Sequence, residues 1–428
     1  MKASIIFPIH LISNNPLLKF DNIIVYEHPK MIKGHKAKRA LLIKSLKNYI
    51  SKYTYSYFND LYTFDDILNK KIKEIYIFDP CDKDILKELK SICEKKNIKL
   101  TIYESPLFVH NEDSIKEYLK DHLFHHKSFY EYTLKSLLNS KELSQEVYDI
   151  LKVSTDKYNR DPFTINDSNL SKEDLYKHFT KNKEKDMFSD YPTTRKSALL
   201  YLNDFMKDRL NDFAKYQDAI GGIGYHSFIS ALLNIGLLTP KDIIVKIDTY
   251  KNNPNIEAFI RQVLGWREYI RMCYVAYCKG ILHIKDPFNC HNKIDKSFWS
   301  IEPINNIYIR INEFGYCQHI ERLMVLGNWF LLNEIDPNIA YDWFMDNFID
   351  AYEWVMIANL YGMVYHALVN NDNKSIMKKP YICSFNYIEK HTIKALIDNK
   401  SKTLWNDKYH IFIKKHKTFL SQFPIFIK

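Results

Sequence analysis

The first hundred residues alternate between two hydrophobic periods, and that alternation restricts the fold more than any other feature of the chain. The apolar runs SIIFPIHLI, NIIVYEH, EIYIFDP and KLTIYES are short and β-branched, whereas AKRALLIKSLKNYISKY and CDKDILKELKSICEKK between them carry helical spacing. Strands that alternate with helices are joined by crossovers, so residues 1–113 are expected to form an α/β domain around a parallel sheet. Glycine narrows what that domain can do. Gly34 is the only glycine before Gly221, and both GxGxxG dinucleotide loops and P-loops need glycine where backbone amides approach phosphate. An NAD or ATP site of the usual kind is thereby excluded from the domain.

Residues 114–192 are polar and charged, with the turn-rich span DKYNRDPFTINDSNLSKED, and read as a connector that wraps over the surface. Helical periodicity resumes at residue 193 and runs to about Leu368, with Pro240, Pro254 and Pro303 between segments, so residues 193–428 are expected to be an all-α domain with a basic tail. Its most informative helix is NIEAFIRQVLGWREYIRMCY, from Asn255 to Tyr274. At ~100° per residue, Phe259, Val263, Trp266, Ile270 and Cys273 share an apolar sector, and Glu257, Arg261, Glu268 and Arg271 fall opposite. Gln262, Tyr269 and Arg267 lie at the seams. Such a helix suits either an ordinary amphipathic core helix whose arginines pair with acids at i and i+4, or an apolar pocket bordered by a few directed polar groups.

Charge and cysteine bound the partners and the compartment. The 428 residues carry a net charge of +10, and from Lys374 to Lys428 there are 12 lysines against Glu389, Asp398 and Asp407. A basic tail of this kind fits a polyanion such as DNA, or simply a solvated surface. Cys81, Cys93, Cys273, Cys278, Cys290, Cys317 and Cys383 form no CxxC and lie mostly in apolar sequence. That pattern points to free thiols in a reducing intracellular compartment, cytoplasm or nucleus. MKASIIFPIHLI reads as a first strand and not a signal peptide, and no run of ~18 apolar residues would span a membrane. The 31 Tyr, 26 Phe and 6 Trp serve core filling or stacking on a planar ligand. Richness in Lys, Asn and Ile points to an AT-rich genome, as in a virus acting within its host cell or a compact parasite.

The motifs FAKYQDAI with YHSFISALLNIGLLTP, then EAFIRQVLGWREYIR, GYCQHIERLMVLGNW, DAYEWVMIANLYGM and KKPYICSFNYI stand in the order of the signatures of the cryptochrome and DNA photolyase superfamily, which the chain resembles. EHPKMIKGHKAKRALLIKSLKNY and STDKYNRDPF are similar to its bacterial iron-sulfur, photolyase-related branch, so the resemblance covers the whole chain. It implies an α/β antenna-type domain, a connector and an all-α domain that holds FAD. The activity implied is light-driven repair of UV-induced pyrimidine dimers, of unresolved lesion type, by electron transfer from reduced flavin to a dimer flipped out of DNA. The alternative is a cryptochrome-like blue-light sensor that binds FAD and repairs nothing. Either would act as a monomer.

By the same resemblance, Ser227 and Ser230 would contact the FAD pyrophosphate, and Arg322 with Asp350 would form a buried pair beside the flavin, one on each of two helices. Arg267 would lie near the flavin. Gln262 and Trp266 match positions that face the lesion, where an amide can bond a base edge and an indole can stack. His319 matches the position that approaches the lesion, on the same helical face as Arg322. Gln318 stands where (6-4) photolyases of the branch carry the first of two histidines, which argues against a mechanism that needs both. Met356 replaces the asparagine or acid that meets flavin N5 and offers no useful hydrogen bond; Asn359 is the candidate to compensate. Trp343 keeps an electron-transfer position, with Phe344 in place of a family tyrosine. An iron-sulfur cluster would need four thiolates, yet no cysteine follows Cys383 and none lies between residues 291 and 316, so no cluster and no other metal is expected. Pro8 and His10 replace the polar residues usual after the first strand, which leaves the antenna chromophore unassigned.

Overall fold

A computed structural model describes residues 1–153, 191–221, 226–392 and 397–426. The strands of the first domain are β1 (Lys2–Ile6), β2 (Ile23–Tyr26), β3 (Ser56–Phe58), β4 (Glu74–Phe78) and β5 (Lys99–Tyr103). All pair in parallel, in the order β3-β2-β1-β4-β5. The Lys36–Ile50 and Lys83–Lys95 helices supply crossovers where the sequence places them. Asp82 caps the second by accepting from the backbone N–H groups of Asp84 and Ile85, and the helix buries Ile85, Leu89 and Cys93 against the sheet core. β3 was not anticipated: it is a three-residue edge strand with Ser56 and Tyr57 exposed, and so carries no hydrophobic signal.

The span read as an irregular connector is helical up to residue 152, over Glu112–Asp121, His126–Asn139 and Gln145–Lys152. In the middle helix Phe129, Tyr130, Thr133, Leu134 and Leu137 are buried, a helical period hidden by the polar residues between them. The rest of the connector to residue 190, with the STDKYNRDPF motif, lies outside the described residues.

The C-terminal part is helical except for an antiparallel ribbon of β6 (Leu282–Ile284) and β7 (Leu368–Asn370), which the all-α expectation lacks. Two runs that read as continuous helices are interrupted. Gly315, at φ 68°, ends the Ile304–Phe314 helix before the next begins at His319, and residues 348–352 form a turn between the Pro337–Asn347 helix and the one that begins at Glu353. The basic tail is anchored by aromatic packing. Trp405 stacks on Trp329 at 5.3 Å between centroids and donates its indole N–H to the Cys383 carbonyl at 3.1 Å, while Lys415 and His416 both reach Glu334 at 2.7 Å. Among the described residues no helix is long and apolar enough to cross a membrane.

The helix from Ile256 to Cys278 runs through the centre with a wide turn at Arg261–Trp266. Its charged side is not solvated: Glu257, Glu268 and Arg271 are buried. The i, i+4 pairing holds for Glu257 with Arg261, whereas Glu268 and Arg271 meet the first domain instead. Arg271 Nη2 pairs with Asp79 Oδ2 at 3.2 Å, and the Glu268 carboxylate accepts the backbone N–H groups of Val109 and His110 at 3.1 and 3.3 Å. Glu257 pairs with Arg261 at 3.2 Å. Each buried charge meets an opposite charge or a donor, the condition for leaving water without a prohibitive penalty.

The two parts also touch through Gly236, which ends the Ser230–Ile235 helix at φ 83°. A Cβ there would stand 2.9 Å from the Leu11 backbone nitrogen, whose N–H donates to the Ile235 carbonyl at 2.8 Å. Strain and clash together are expected to make Gly236→Ala about 2 kcal/mol less stable in urea unfolding. An unchanged midpoint would contradict this close approach.

Candidate functional site

A cavity of about 350 Å³ lies among the C-terminal helices. Three of its walls come from helices that each contain a wide i→i+5 turn: Arg261–Trp266, Glu321–Gly327 and Ile357–Val364. Such a turn inserts one extra residue, which changes the direction of the side chains that follow. From these walls Gln262, Trp266, Arg322 and Asn359 reach the cavity, and His226 and Ser227 line it from the loop before Ser230.

The charged centre of the site is Arg322 with Asp350. Arg322 Nη1 donates to Asp350 Oδ1 at 2.8 Å, and its Nε donates to the Cys317 carbonyl at 2.7 Å. The guanidinium lies 4.1 Å from the Phe348 ring centroid and 4.8 Å from that of Tyr316. Burial opposes its charge, but Asp350 overrides that effect and holds its pKa above the ordinary value. Asp350 belongs to the turn between two helices and not to a helix, contrary to the sequence reading, because the chain leaves helical geometry at Phe348. Ser230 Oγ donates to Asp350 Oδ2 at 2.6 Å, and Asn234 Nδ2 donates to its backbone carbonyl at 3.1 Å. The proton of Ser230 is therefore committed to Asp350, whereas Ser227 lines the cavity with no bonded partner among the described residues. Arg322 Nη2 and His226 Nε2 are buried donor or acceptor atoms without a hydrogen-bond partner among the described residues.

His319 begins its helix and lines the cavity with Arg322, as the spacing predicts. Although deep in the chain, its side chain is open to the cavity space. Burial and the Arg322 charge push its imidazole down, and burial, Arg209 and His319 do the same for His226. Both rings are neutral at pH 7. Gln318 is turned away: it is fully buried, its Nε2 donates to the Ala219 carbonyl at 2.7 Å, and its Oε1 accepts from the Ile320 N–H at 2.7 Å.

Trp266 is half-buried, with its indole N–H donated to Asn359 Oδ1 at 3.2 Å, and Asn359 Nδ2 donates to the Val355 carbonyl at 2.8 Å. Gln262 is exposed at the mouth. Arg267 borders the cavity, but its Nη1 is held by the Leu107 carbonyl at 2.6 Å. Met356 is buried outside the main cavity and lines a small void of about 40 Å³ with His319, Arg322 and Asn359. Trp343 touches neither space. It packs on Phe344, which lines the small void, at 5.4 Å, and stacks on Trp299 at 5.0 Å; Trp299 stacks on the half-buried Tyr308 at 4.2 Å. Sequence reasoning missed Trp299, Tyr316 and His226. The last two sit inside quoted motifs, directly before Ser227 and before Cys317, and were legible there.

Among the described residues, the one group of three or more His, Cys, Asp or Glu ligand atoms close enough for a metal is Asp82, Asp84 and Glu353. Lys30 Nζ already bridges them, at 2.9, 2.8 and 2.8 Å.

A family model described as deoxyribodipyrimidine photo-lyase-related protein matches residues 25–137. A (6-4) photolyase of Agrobacterium fabrum is 32% identical over 213 residues, which span 47% of this chain and 41% of that protein. The match thus reaches less than half of that relative. An uncharacterised protein of Acanthamoeba polyphaga mimivirus is 40% identical over 91 residues, 21% of this chain and 69% of that one. Among solved structures, a bacterial class III photolyase from Agrobacterium tumefaciens matches with a TM-score of 0.60 at 16% identity, over 98% of this chain and 89% of that one. A cryptochrome from Synechocystis sp. matches with a TM-score of 0.59 at 14% identity, over 99% and 90%. At these identities the likeness to the solved structures is one of fold.

Asp350→Asn leaves Arg322 charged, buried and without its counter-ion. It is expected to lower the urea unfolding free energy by roughly 3 kcal/mol, as for other broken buried pairs. Ser230→Ala, which removes one of several contacts to the same carboxylate, should cost about 1 kcal/mol. Equal losses for the two would place the pair's contribution elsewhere.

Proposed function

We propose, for a chain that belongs to the cryptochrome and photolyase superfamily, a flavoprotein that binds FAD in the central cavity and repairs pyrimidine dimers in DNA under blue light. The observation that carries the reading is convergence. Nine residues singled out by separate sequence motifs, Ser227 and Ser230 through Asn359, line one cavity of about 350 Å³. The residues present also fit the cofactor: aromatic and aliphatic walls suit a planar ring, and the unpartnered Arg322 Nη2 and His226 Nε2 suit acceptor or donor atoms of a polar ligand. When bound, FAD would supply absorption of blue light and an electron.

The chain's own residues then have distinct tasks. Arg322 and Asp350 hold a fixed charge pair against the cofactor. Ser227 offers a hydroxyl to a phosphate, and Ser230 keeps Asp350 oriented instead of contacting phosphate itself. Trp266, fixed by Asn359, presents an indole on which a flipped base can stack, and Gln262 at the mouth presents an amide to a base edge. Neutral His319 can accept or deliver a proton at the bound lesion. Arg267 mainly braces the cavity wall through Leu107. Trp343, with Trp299 and Tyr308, extends as stacked rings away from Phe344 and suits resupply of an electron from outside. The working form is a monomer acting on DNA in a reducing intracellular compartment.

A second reading, a blue-light sensor that binds FAD without repair, is favoured by two observations. Met356 is a buried thioether beside Arg322, and Gln318 does not reach the cavity. The two readings separate in one experiment. Denatured full-length protein should release FAD into the supernatant in stoichiometric amount, and the reduced protein should restore pyrimidines in illuminated DNA that carries cyclobutane or (6-4) dimers. His319→Ala should slow repair by about 10²-fold or more while leaving the flavin content unchanged. FAD without restoration of either lesion selects the sensor, and a colourless protein removes both readings.

A further inference from the structure

We infer that Lys38, on the Lys36–Ile50 helix of the first domain, is a positioning residue for Asp350. Its buried ammonium holds the turn at residues 348–352, so that the carboxylate stays on Arg322 and Ser230. The consequence for a cofactor rests on the FAD reading above; the positioning itself does not.

Lys38 is 1% exposed. Its Nζ donates to the carbonyl of Ala351, the residue after Asp350, at 2.7 Å and lies 4.7 Å from the centre of the Tyr352 ring. The turn is thereby gripped at three consecutive points. Ser230 and Arg322 hold the Asp350 carboxylate, Asn234 holds its carbonyl, and Lys38 holds the next one. Neighbouring residues of the same segment seat the flanks: Lys30 reaches Glu353 at 2.8 Å, and His35 Nε2 lies 3.1 Å from the Asn312 carbonyl. Lys38 is the member of this clamp next to Asp350.

A methionine or leucine would fill this space at a lower desolvation cost than an ammonium with one hydrogen bond, so the charge acts through position and field. The acids that face it are Asp350 from the turn, Asp346 from the preceding helix and Asp82 from the cap of the Lys83–Lys95 helix. Burial pushes Lys38 down to about 8 against the pull of these three carboxylates. Below that pH the ammonium carries its charge, and above it the charge is lost. The unfolded chain keeps the proton up to 10.5. Between the two values the unfolded state binds more protons, so stability rises with pH across this window while the positioning charge disappears. The charged form is thus held at some expense of stability.

The test uses the full chain loaded with FAD, with FAD release measured across pH 8 for wild type, Lys38→Met and Lys38→Arg. Wild type should lose affinity about tenfold as pH rises through 8, Lys38→Met should be weak and flat, and Lys38→Arg should stay tight and flat because a guanidinium does not titrate there. Lys38→Met should also be no less stable than wild type at pH 7. A wild-type profile in Lys38→Met overturns the inference, and so does a step that persists in Lys38→Arg if the methionine variant does not fold. If wild type binds no FAD, the flavin reading falls and the inference is decided on the ligand-free chain. Amide hydrogen exchange at Ala351–Glu353, at pH 7, should then be about tenfold faster in Lys38→Met or Lys38→Leu than in wild type, with β1 and β4 unchanged. Equal exchange overturns the inference.

Discussion

The helix from Ile256 to Cys278 can be central only because its charges are met by partners instead of water. Arg271 takes Asp79 just beyond β4, and Glu268 takes the amides of Val109 and His110 beyond β5. Arg267 takes the Leu107 carbonyl. All three partners lie at the carboxyl ends of the parallel strands, the place where open α/β sheets commonly receive a ligand. Here that crevice receives two arginines of the chain's own helix. His10, beyond β1, lines the same region, and burial with the nearby Arg271 pushes its imidazole down to about 3, so it adds no competing charge. The sheet domain therefore serves as the electrostatic socket of the central helix, which explains why it can dispense with glycine loops that cradle phosphate.

What the sequence disclosed follows from the range of its signals. β1, β2, β4 and β5 and the two crossover helices were legible because local apolar periods report burial against one core. β3 was not, since an exposed edge strand has no such period. The helices between residues 112 and 152 were obscured because their apolar residues are interleaved with Lys, Ser and Glu. The wide turns at Arg261–Trp266, Glu321–Gly327 and Ile357–Val364 insert one residue each, and a window of fixed helical angle cannot register that. The distant partners of the central helix's charged side were hidden for a deeper reason. A charged face looks the same in sequence whether it meets water or the charges of a partner element.

The candidate site shows the same division. Motif position brought His319, Arg322, Trp266 and Ser227 to one cavity, since motif order reflects which helices assemble. Hydrogen-bond direction was beyond reach. Ser230 gives its proton to Asp350 and not to the cavity, Asn359 fixes Trp266 before it can compensate for Met356, and Gln318 is consumed by Ala219 and Ile320. Each choice depends on a group distant in sequence, or on a turn such as residues 348–352 that breaks the expected helix. Residue identity fixes what a side chain can bond, and the tertiary fold decides which partner it finds.

The charged side chains that line the cavity balance, with Arg267 and Arg322 against Asp218 and Asp350. Arg322 is offset by Asp350, His226 and His319 are held neutral, and Lys38 stands behind the turn with its charge intact at neutral pH. Arg267 and Glu268, 3.8 Å apart, do not simply cancel. Burial opposes the charged form of both partners, pushing Arg267 down and Glu268 up against the attraction between them. The paired charges of the walls act in a space of low polarity, where a fixed charge acts over a longer range than in water. A ligand with a planar ring would match the aromatic lining. A ligand without a hydrogen-bond acceptor would leave Arg322 Nη2 unanswered among the described residues.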